Sequence, residues 1–528
     1  ETTLDVPVDR AISQRLHDIK DPEIAAGYGL TGYRLLPEDG TANVTYTFTL
    51  YERLPNGQNV LRVQADNYEG QFNLNEDSKL ELGSTAKLRT LVSYMEAVSE
   101  LHHRLSQMSD RQRNALKIHD SDNLTQFVVN HLNSSDTDKS LNGTLEASLD
   151  RTYSGNPGER FFTGGGLHRF SNFDRRNNGG HYTVKESLHQ SLNLPFIRIM
   201  RDVVNYTIHQ KMNIDPDIYT NTESDQRRAY LEKFAEYEGK IYLWRSWKNL
   251  EGKNQDEILD YLAENTRQTP THLAVVYRSV KPEGSLEDMK DFMSEKCVTC
   301  TPNTDYEELY EAHAPGKFNL HDRGYLTGLH PLAIWLGGHL AQNPDASWSQ
   351  TKEASRAKRI EVYDWLLNSN KTEGQNTRIR TIVEQEAFEH IQKTWQRLGF
   401  PFEKMTPSLA SALGSSGDTP AALATLAGIL QNDGMRVQSQ KFSNIHFAEN
   451  TPYELNFNAG EPKAERVLPV EVARLARREM QQVVEVGTAR RARGSVKLSD
   501  GRELAVGAKT GTGDNRQHHA NGSSTVQN

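Results

Sequence analysis

Cysteine is nearly absent. Cys297 and Cys300 are the two in 528 residues, too few for a disulfide framework to hold the chain together. Their Cys-Val-Thr-Cys spacing admits a local disulfide, a redox pair or half of a zinc site, but no thioredoxin-like context surrounds them and no second pair completes a zinc site. An excess of positive charge is also missing. Sixty-one Lys and Arg against 70 Asp and Glu leave a net charge of -9 and a pI near 6.1, so there is no electrostatic footprint for nucleic acid. No stretch approaches the roughly 20 consecutive apolar residues of a membrane span, and no signal peptide opens the chain. A hydrophobic content of 36% and a mean hydropathy of -0.71 fit a polar-surfaced protein. The 18 histidines are scattered. His102-His103 and His518-His519 lack accompanying cysteine or carboxylate spacing and read as surface residues, so neither a metal nor a cofactor is expected. The length exceeds what one core holds, which implies roughly two to four modules.

What is present centres on Leu82-Gly83-Ser84-Thr85-Ala86-Lys87, which runs into the helix-like Leu88-Arg89-Thr90-Leu91-Val92. If this stretch opens a helix, Ser84 and Lys87 are three apart on one face, and an amine can reach the hydroxyl it must deprotonate. A helix start also offers unpaired N–H groups to an oxyanion. Alone the pattern is weak. Ser-x-x-Lys recurs at Ser349 to Lys352 and at Ser355 to Lys358, and a serine N-cap with a solvated lysine is an ordinary helix start. The discriminating stretch is Ala505-Val506-Gly507-Ala508-Lys509-Thr510-Gly511-Thr512-Gly513, which reads as a strand presenting a lysine, two hydroxyls and an open backbone edge, groups that suit a carboxylate.

Along the chain, residues 2–16 suggest a strand entering a helix, and alternation over 42–51 and 59–66 around Pro55-Asn56-Gly57 argues for a hairpin. Gly164-Gly165-Gly166 and Asn177-Asn178-Gly179-Gly180 mark glycine-rich surface loops. Ser191 and Asn193 flank Leu192, and Pro195 is expected to make the backbone irregular just after them, turning the polar pair toward a cleft. From about 205 to 385 charged, helix-periodic runs such as 257–263 and 356–367 carry no catalytic constellation and read as a helical insertion with solvated faces. The apolar stripe Leu326, Leu329, Leu332, Ile334 and Trp335 reads as core. Beyond it, Gly399 suits a helix C-cap, and helices are expected at about 420–431 and 469–486.

Ser-x-x-Lys at Ser84, Ser-x-Asn at Ser191 and Lys-Thr-Gly at Lys509 stand in the order found in penicillin-binding proteins and class A β-lactamases. With Thr2-Thr3-Leu4-Asp5, the stretch 179–199, Ala412-Leu413-Gly414-Ser415 and Gly487-Thr488-Ala489, the chain resembles the transpeptidase module of bifunctional, class A penicillin-binding proteins over roughly 300 residues. Ser121-Asp122-Asn123 spells the β-lactamase variant of the middle motif, and Ser140 and Ser154 also begin Ser-x-Asn, but only Ser191 has surroundings similar to the family's. The resemblance implies an α+β, serine penicillin-recognising fold, an antiparallel sheet flanked by helices. Residues 1–48 would enter the domain, 49–204 and 386–528 would form its two parts, and 205–385 would be a mainly helical insertion, far longer than the family's usual connection. The glycosyltransferase module and membrane anchor are absent from this sequence, so no glycan polymerisation is expected, and attachment to a membrane would come only through an N-terminal part missing here. The stretch after Gly513 lacks the strands and closing helix of the family, which suggests an incomplete chain short of about two strands and a helix.

The resemblance further implies a two-step acyl transfer on a D-alanyl-D-alanine stem peptide of peptidoglycan, inhibited by β-lactams, at the cell envelope on the periplasmic side of the inner membrane. That oxidising compartment favours the local disulfide at Cys297 and Cys300. Ser84 would be the nucleophile, Lys87 its base, Ser191 the proton relay and Asn193 the holder of the substrate amide. Lys509, Thr510, Gly511 and Thr512 would bind the terminal carboxylate, and the N–H groups of Ser84 and Thr512 would form the oxyanion hole. A D,D-carboxypeptidase, a β-lactamase-like hydrolase and a non-catalytic penicillin-binding scaffold are the alternatives. No Glu-x-x-Leu-Asn segment is present to activate a deacylating water.

Overall fold

The alternating run before Pro55 forms β1 (Thr47–Arg53), which pairs antiparallel with β2 (Asn59–Asp66) across a bulge at Leu50/Tyr51. The turn between them closes through Leu54 N–H to Gln58 C=O and Gly57 N–H to Leu54 C=O, with Gly57 supplying the positive φ such a turn needs. Burial of Val63 and Ala65 between the half-exposed Arg62, Gln64 and Asp66 fixes which face of that end of β2 looks inward. A short β3 (Ser439–Gln440) adds to β2 in parallel, giving the order β1-β2-β3. The computed structural model describes residues 1–32, 35–215, 217–368, 371–461, 463–513, 515–518 and 524–527. About 52% of the chain is helical and the sheets are small, a mixed architecture compatible with the α+β class. Among the described residues no helix is long and apolar enough to cross a membrane.

The chain forms two compact units, one of Glu1–Ile214 with Glu384–Asn528 and one of Asp215–Val383. The first unit is built round α2 (Ala86–Leu105), which follows α1 (Val6–Asp18) and the hairpin. Leu88, Leu91, Val92, Met95, Val98, Leu101 and Leu105 recur at helical spacing with no glycine or proline among them, and all are buried. Packed on α2 are the helices Asn123–Asn133 and Leu141–Leu149, α4 (Asn193–Tyr206) and α6 (Val470–Glu485). The short α3 (Val184–His189) precedes α4 and α5 (Pro420–Gln431) precedes α6. Pro420 sits in the first turn of α5, where its missing N–H leaves no bond unmade. Arg89 is fully buried, and its guanidinium donates to both oxygens of Asp418 at 2.6 and 3.2 Å and to the carbonyls of Leu398 and Ala422. Asp418 in turn exchanges two backbone hydrogen bonds with Leu80, so this ion pair ties α2 to the segment that enters it.

Three local expectations change. The N-terminal strand shrinks to a single bridge between Thr2 and Phe442, because Asp5 caps a helix whose first turn holds Pro7 and the run ends before a ladder can form. The stretch expected as a strand through Lys509 is extended chain outside any sheet. Among the described residues its backbone pairing is limited to Leu504 N–H on Val496 C=O and Ala508 N–H on Met480 C=O, and a cleft of about 440 Å³ is lined by Thr49, Tyr51, Gly428, Met480 and Gly507. The tail, expected to lack the family's strands, pairs with itself, Asn515–His518 against Ser524–Gln527. His519 and the rest of 519–523 lie outside the described residues. His102 is partly exposed, its Nε2 2.8 Å from the Lys139 carbonyl oxygen, and His103 is exposed.

The second unit is helical, with its longest described helix within it at Asp225–Leu250 and Leu332, Ile334, Leu336 and Leu340 buried from Pro331–Gln342. Its limits, 215 and 383, fall inside the expected 205–385. The chain before 215 stays with the first unit through a π-turn at Thr207–Lys211, where His209 meets Ser121, and Glu384 holds Thr163 and Gly164. The charged run 356–367 is two short helices broken at Tyr363, and Cys297 and Cys300 are joined as a disulfide.

Replacing Asp418 by Ala leaves the Arg89 charge buried without its counter-ion, a loss of about 3–5 kcal/mol. The urea midpoint of the first unit's unfolding is expected to fall markedly in Asp418→Ala. An unchanged midpoint would remove the ion pair from this role.

Candidate active site

Gly83, Ser84 and Thr85 form a one-turn 3-10 helix that runs straight into α2. Two other segments press on this turn. A Cβ on Gly83, whose φ is +54°, would collide with the Thr512 carbonyl, and one on Gly511 would meet the Leu82 carbonyl and the Thr85 methyl. Gly414, at φ +98°, approaches Gly83 so closely that a Cβ there would lie 2.6 Å from its oxygen. Side chains are thus excluded from the crossing, and the 509–513 stretch lies along 81–85. Among the described residues no hydrogen bond engages the backbone N–H of Ser84 or of Thr512.

Lys87 follows one turn after Ser84 and has no solvent-exposed surface (0%). Its Nζ lies 2.8 Å from Ser84 Oγ, 2.6 Å from the Ser191 carbonyl oxygen, 2.8 Å from Asn193 Oδ1 and 3.3 Å from Ser191 Oγ, with the Phe196 ring 5.9 Å away. Burial pushes the ammonium well below the ordinary lysine range, and the charge of Lys509 pushes it further the same way. A neutral amine has two N–H groups and one lone pair. The two carbonyl oxygens take the N–H groups, which leaves the lone pair to accept the Ser84 hydroxyl proton.

Ser191 ends α3 in a Schellman motif. Ser191 N–H reaches the Leu188 carbonyl and Leu192 N–H the Ser187 carbonyl, and Ser191 itself takes φ +54°, a left-handed position that glycine usually fills. A serine held there carries strain of order 1–3 kcal/mol, and its Oγ accepts from Lys509 Nζ at 2.8 Å. The irregular backbone therefore precedes Asn193 rather than following it. Pro195 lies within the first turn of α4, where proline is tolerated, and the chain after Asn193 is regular helix. Asn193 donates from Nδ2 to the Ser171 carbonyl at 3.0 Å while its Oδ1 receives Lys87.

Lys509 Nζ also donates to the Thr510 carbonyl at 2.7 Å, and burial lowers its pKa to about 7. Thr510 and Lys509 are half-buried, and Gly511 and Thr512 face solvent. The structure thus brings Ser84, Lys87, Ser191, Asn193 and Lys509 into one connected network, with 510–513 beside it. The competing motifs serve local structure. Ser121 bridges His119 and His209, Ser140 caps the helix Leu141–Leu149, Ser154 accepts from Asn156 N–H, and Ser355 is fully buried against Arg359.

Further residues support this network; Asn172 and Glu479 carried no signal in the sequence, whereas His189 lies in the stretch 179–199 and Thr488 in Gly487-Thr488-Ala489. Asn172 receives the Leu194 N–H at the start of α4 and donates to the carbonyls of Gly155 and Asn177. His189, beside the Ser191 turn, pairs with the buried Glu479 of α6 at 2.8 Å. Thr488 Oγ1 lies 2.7 Å from Thr510 Oγ1, and the Thr488 N–H donates to the His189 carbonyl. Among the described residues no group of three or more His, Cys, Asp or Glu could hold a metal ion. No protein-family model matches this chain, and no curated protein does.

Because Lys509 titrates near 7 when folded and at about 10.5 as an ordinary lysine, the unfolded chain binds the extra proton between those values, and the burden of burying the charge is relieved as pH rises through that window. Lys509→Met is expected to stabilise the first unit more at pH 6.5 than at pH 10, read as urea midpoints against wild type. A gap independent of pH would contradict the depressed value.

Proposed function

We propose that the chain is a serine D,D-transpeptidase of the penicillin-binding type, with a serine penicillin-recognising fold, which cross-links peptidoglycan stem peptides and is acylated by β-lactams. The observation that carries this reading is the network in which one buried amine touches Ser84, Ser191 and Asn193 while a second, half-buried lysine reaches Ser191. A buried neutral amine one turn from a serine is the arrangement of a base and its nucleophile.

In the first step Ser84 Oγ attacks the carbonyl carbon of the penultimate D-alanine and its proton passes to Lys87 Nζ. The negative charge on the carbonyl oxygen is met by the N–H groups of Ser84 and Thr512, each donor being worth about 3 kcal/mol in such a site. The C–N bond then breaks, and the proton moves from Lys87 through Ser191 Oγ to the departing D-alanine amine. An ester on Ser84 remains. In the second step the amine of a neighbouring stem attacks that ester, gives up a proton along the same path, and Ser84 is regenerated as the new amide forms. Lys509, Thr510 and Thr512 anchor the terminal carboxylate, whose charge favours the protonated form of Lys509. No cofactor enters these steps. The substrate places the protein at the periplasmic side of the inner membrane.

With a D-alanyl-D-alanine peptide and an amine acceptor, wild type is expected to release D-alanine and to transfer the acyl group to the amine in preference to water. A D,D-carboxypeptidase or β-lactamase-like hydrolase would give the water product alone, and a scaffold would give neither. Lys87→Ala is expected to slow acylation by about 10²–10⁴ at every pH. Lys509→Arg is expected to keep more activity than Lys509→Ala, since charge rather than basicity is required of the anchor. Equal loss in the two Lys509 variants would count against that division of roles.

A further inference from the structure

We propose that Thr488 is a positioning residue for recognition of the substrate carboxylate, an inference that rests on the transpeptidase reading above. Thr488 follows the end of α6 and is exposed. Its hydroxyl lies 2.7 Å from that of Thr510, and its N–H is spent on the His189 carbonyl at 3.1 Å. The backbone bond ties it to the α3 end that carries Ser191, and His189 is itself fixed by Glu479 from α6. Gly487 allows this approach, since a Cβ there would collide with the His189 carbonyl.

The direction of the hydroxyl pair decides its use. If Thr510 donated to Thr488, its only proton would be turned away from a bound carboxylate. If Thr488 donates to Thr510, the Thr510 O–H is free to point at the substrate and is polarised by the bond it receives. A carboxylate accepts and does not donate, so its arrival selects the second arrangement. Thr488 therefore sets the proton order of the anchor without touching the reacting atoms, and its contribution falls on binding of a charged terminus rather than on the chemical step.

The test uses the purified full chain and two D-alanyl-D-alanine donors, one with a free terminal carboxylate and one with that group as a methyl amide. Thr488→Val is expected to raise KM for the carboxylate donor about three- to tenfold, the weight of one such hydrogen bond, with kcat little changed. KM for the methyl amide should stay at the wild-type value, and Thr488→Ser should restore the carboxylate KM. An equal change for both donors, a loss confined to kcat, or a Thr488→Val enzyme equal to wild type would overturn the assignment while leaving the transpeptidase reading intact. A wild-type chain that releases no D-alanine and takes no acyl group from penicillin would instead sink that reading, and the role of Thr488 with it.

Discussion

Withdrawing the Lys87 amine from water is the constraint around which the first unit is arranged. A buried ammonium costs several kcal/mol unless it is paired, and among the described residues no carboxylate touches this one. Its near neighbours are two carbonyl oxygens, two hydroxyls and an aromatic ring. That environment satisfies a neutral amine and penalises a charged one, and the second lysine on Ser191 adds to the penalty. The rest of the unit holds those neighbours in place. Arg89 and Asp418 fix the entry to α2, Asn172 fixes the start of α4, and α6 braces His189 and, through Thr488, Thr510.

Close backbone approach is the second requirement. Gly83, Gly414 and Gly511 stand where backbone groups of different segments come nearly into contact; a side chain at Gly83 or Gly511 would push the 509–513 stretch away from Ser84, and one at Gly414 would displace Gly83 itself. Ser191 shows the opposite choice. Its position at the end of α3 suits glycine, and the chain places there a residue that must bear strain to present a hydroxyl. Strain retained at a position where glycine would relieve it fits a hydroxyl that has a task.

Much of this was legible from the chain alone. Alternation on either side of Pro55-Asn56-Gly57 located the hairpin, and helical periodicity located α2, because burial of one face leaves a direct imprint on residue order. The three short motifs named the residues that converge, since spacing of three on a helix fixes a side-chain pair. Their convergence itself was not legible. Ser84, Ser191 and Lys509 are more than a hundred residues apart in each step, and only tertiary packing joins them. The expected strand through Lys509 failed for a related reason: alternation signals a strand only when a partner supplies the ladder. Pro195 misled because a proline disfavours helix before itself yet fits a first helical turn equally well. Asn172 and Glu479 left no trace, being single polar residues whose use is set only by the packing around them.

Whether Ser84 is the nucleophile is read most directly from the mass of the chain after incubation with a penicillin, followed by peptide mapping of any adduct. One β-lactam per chain is expected, bound as an ester at Ser84 and absent from Ser84→Ala. An unmodified chain, or an adduct on Ser121, Ser349 or Ser355, would contradict that role for Ser84.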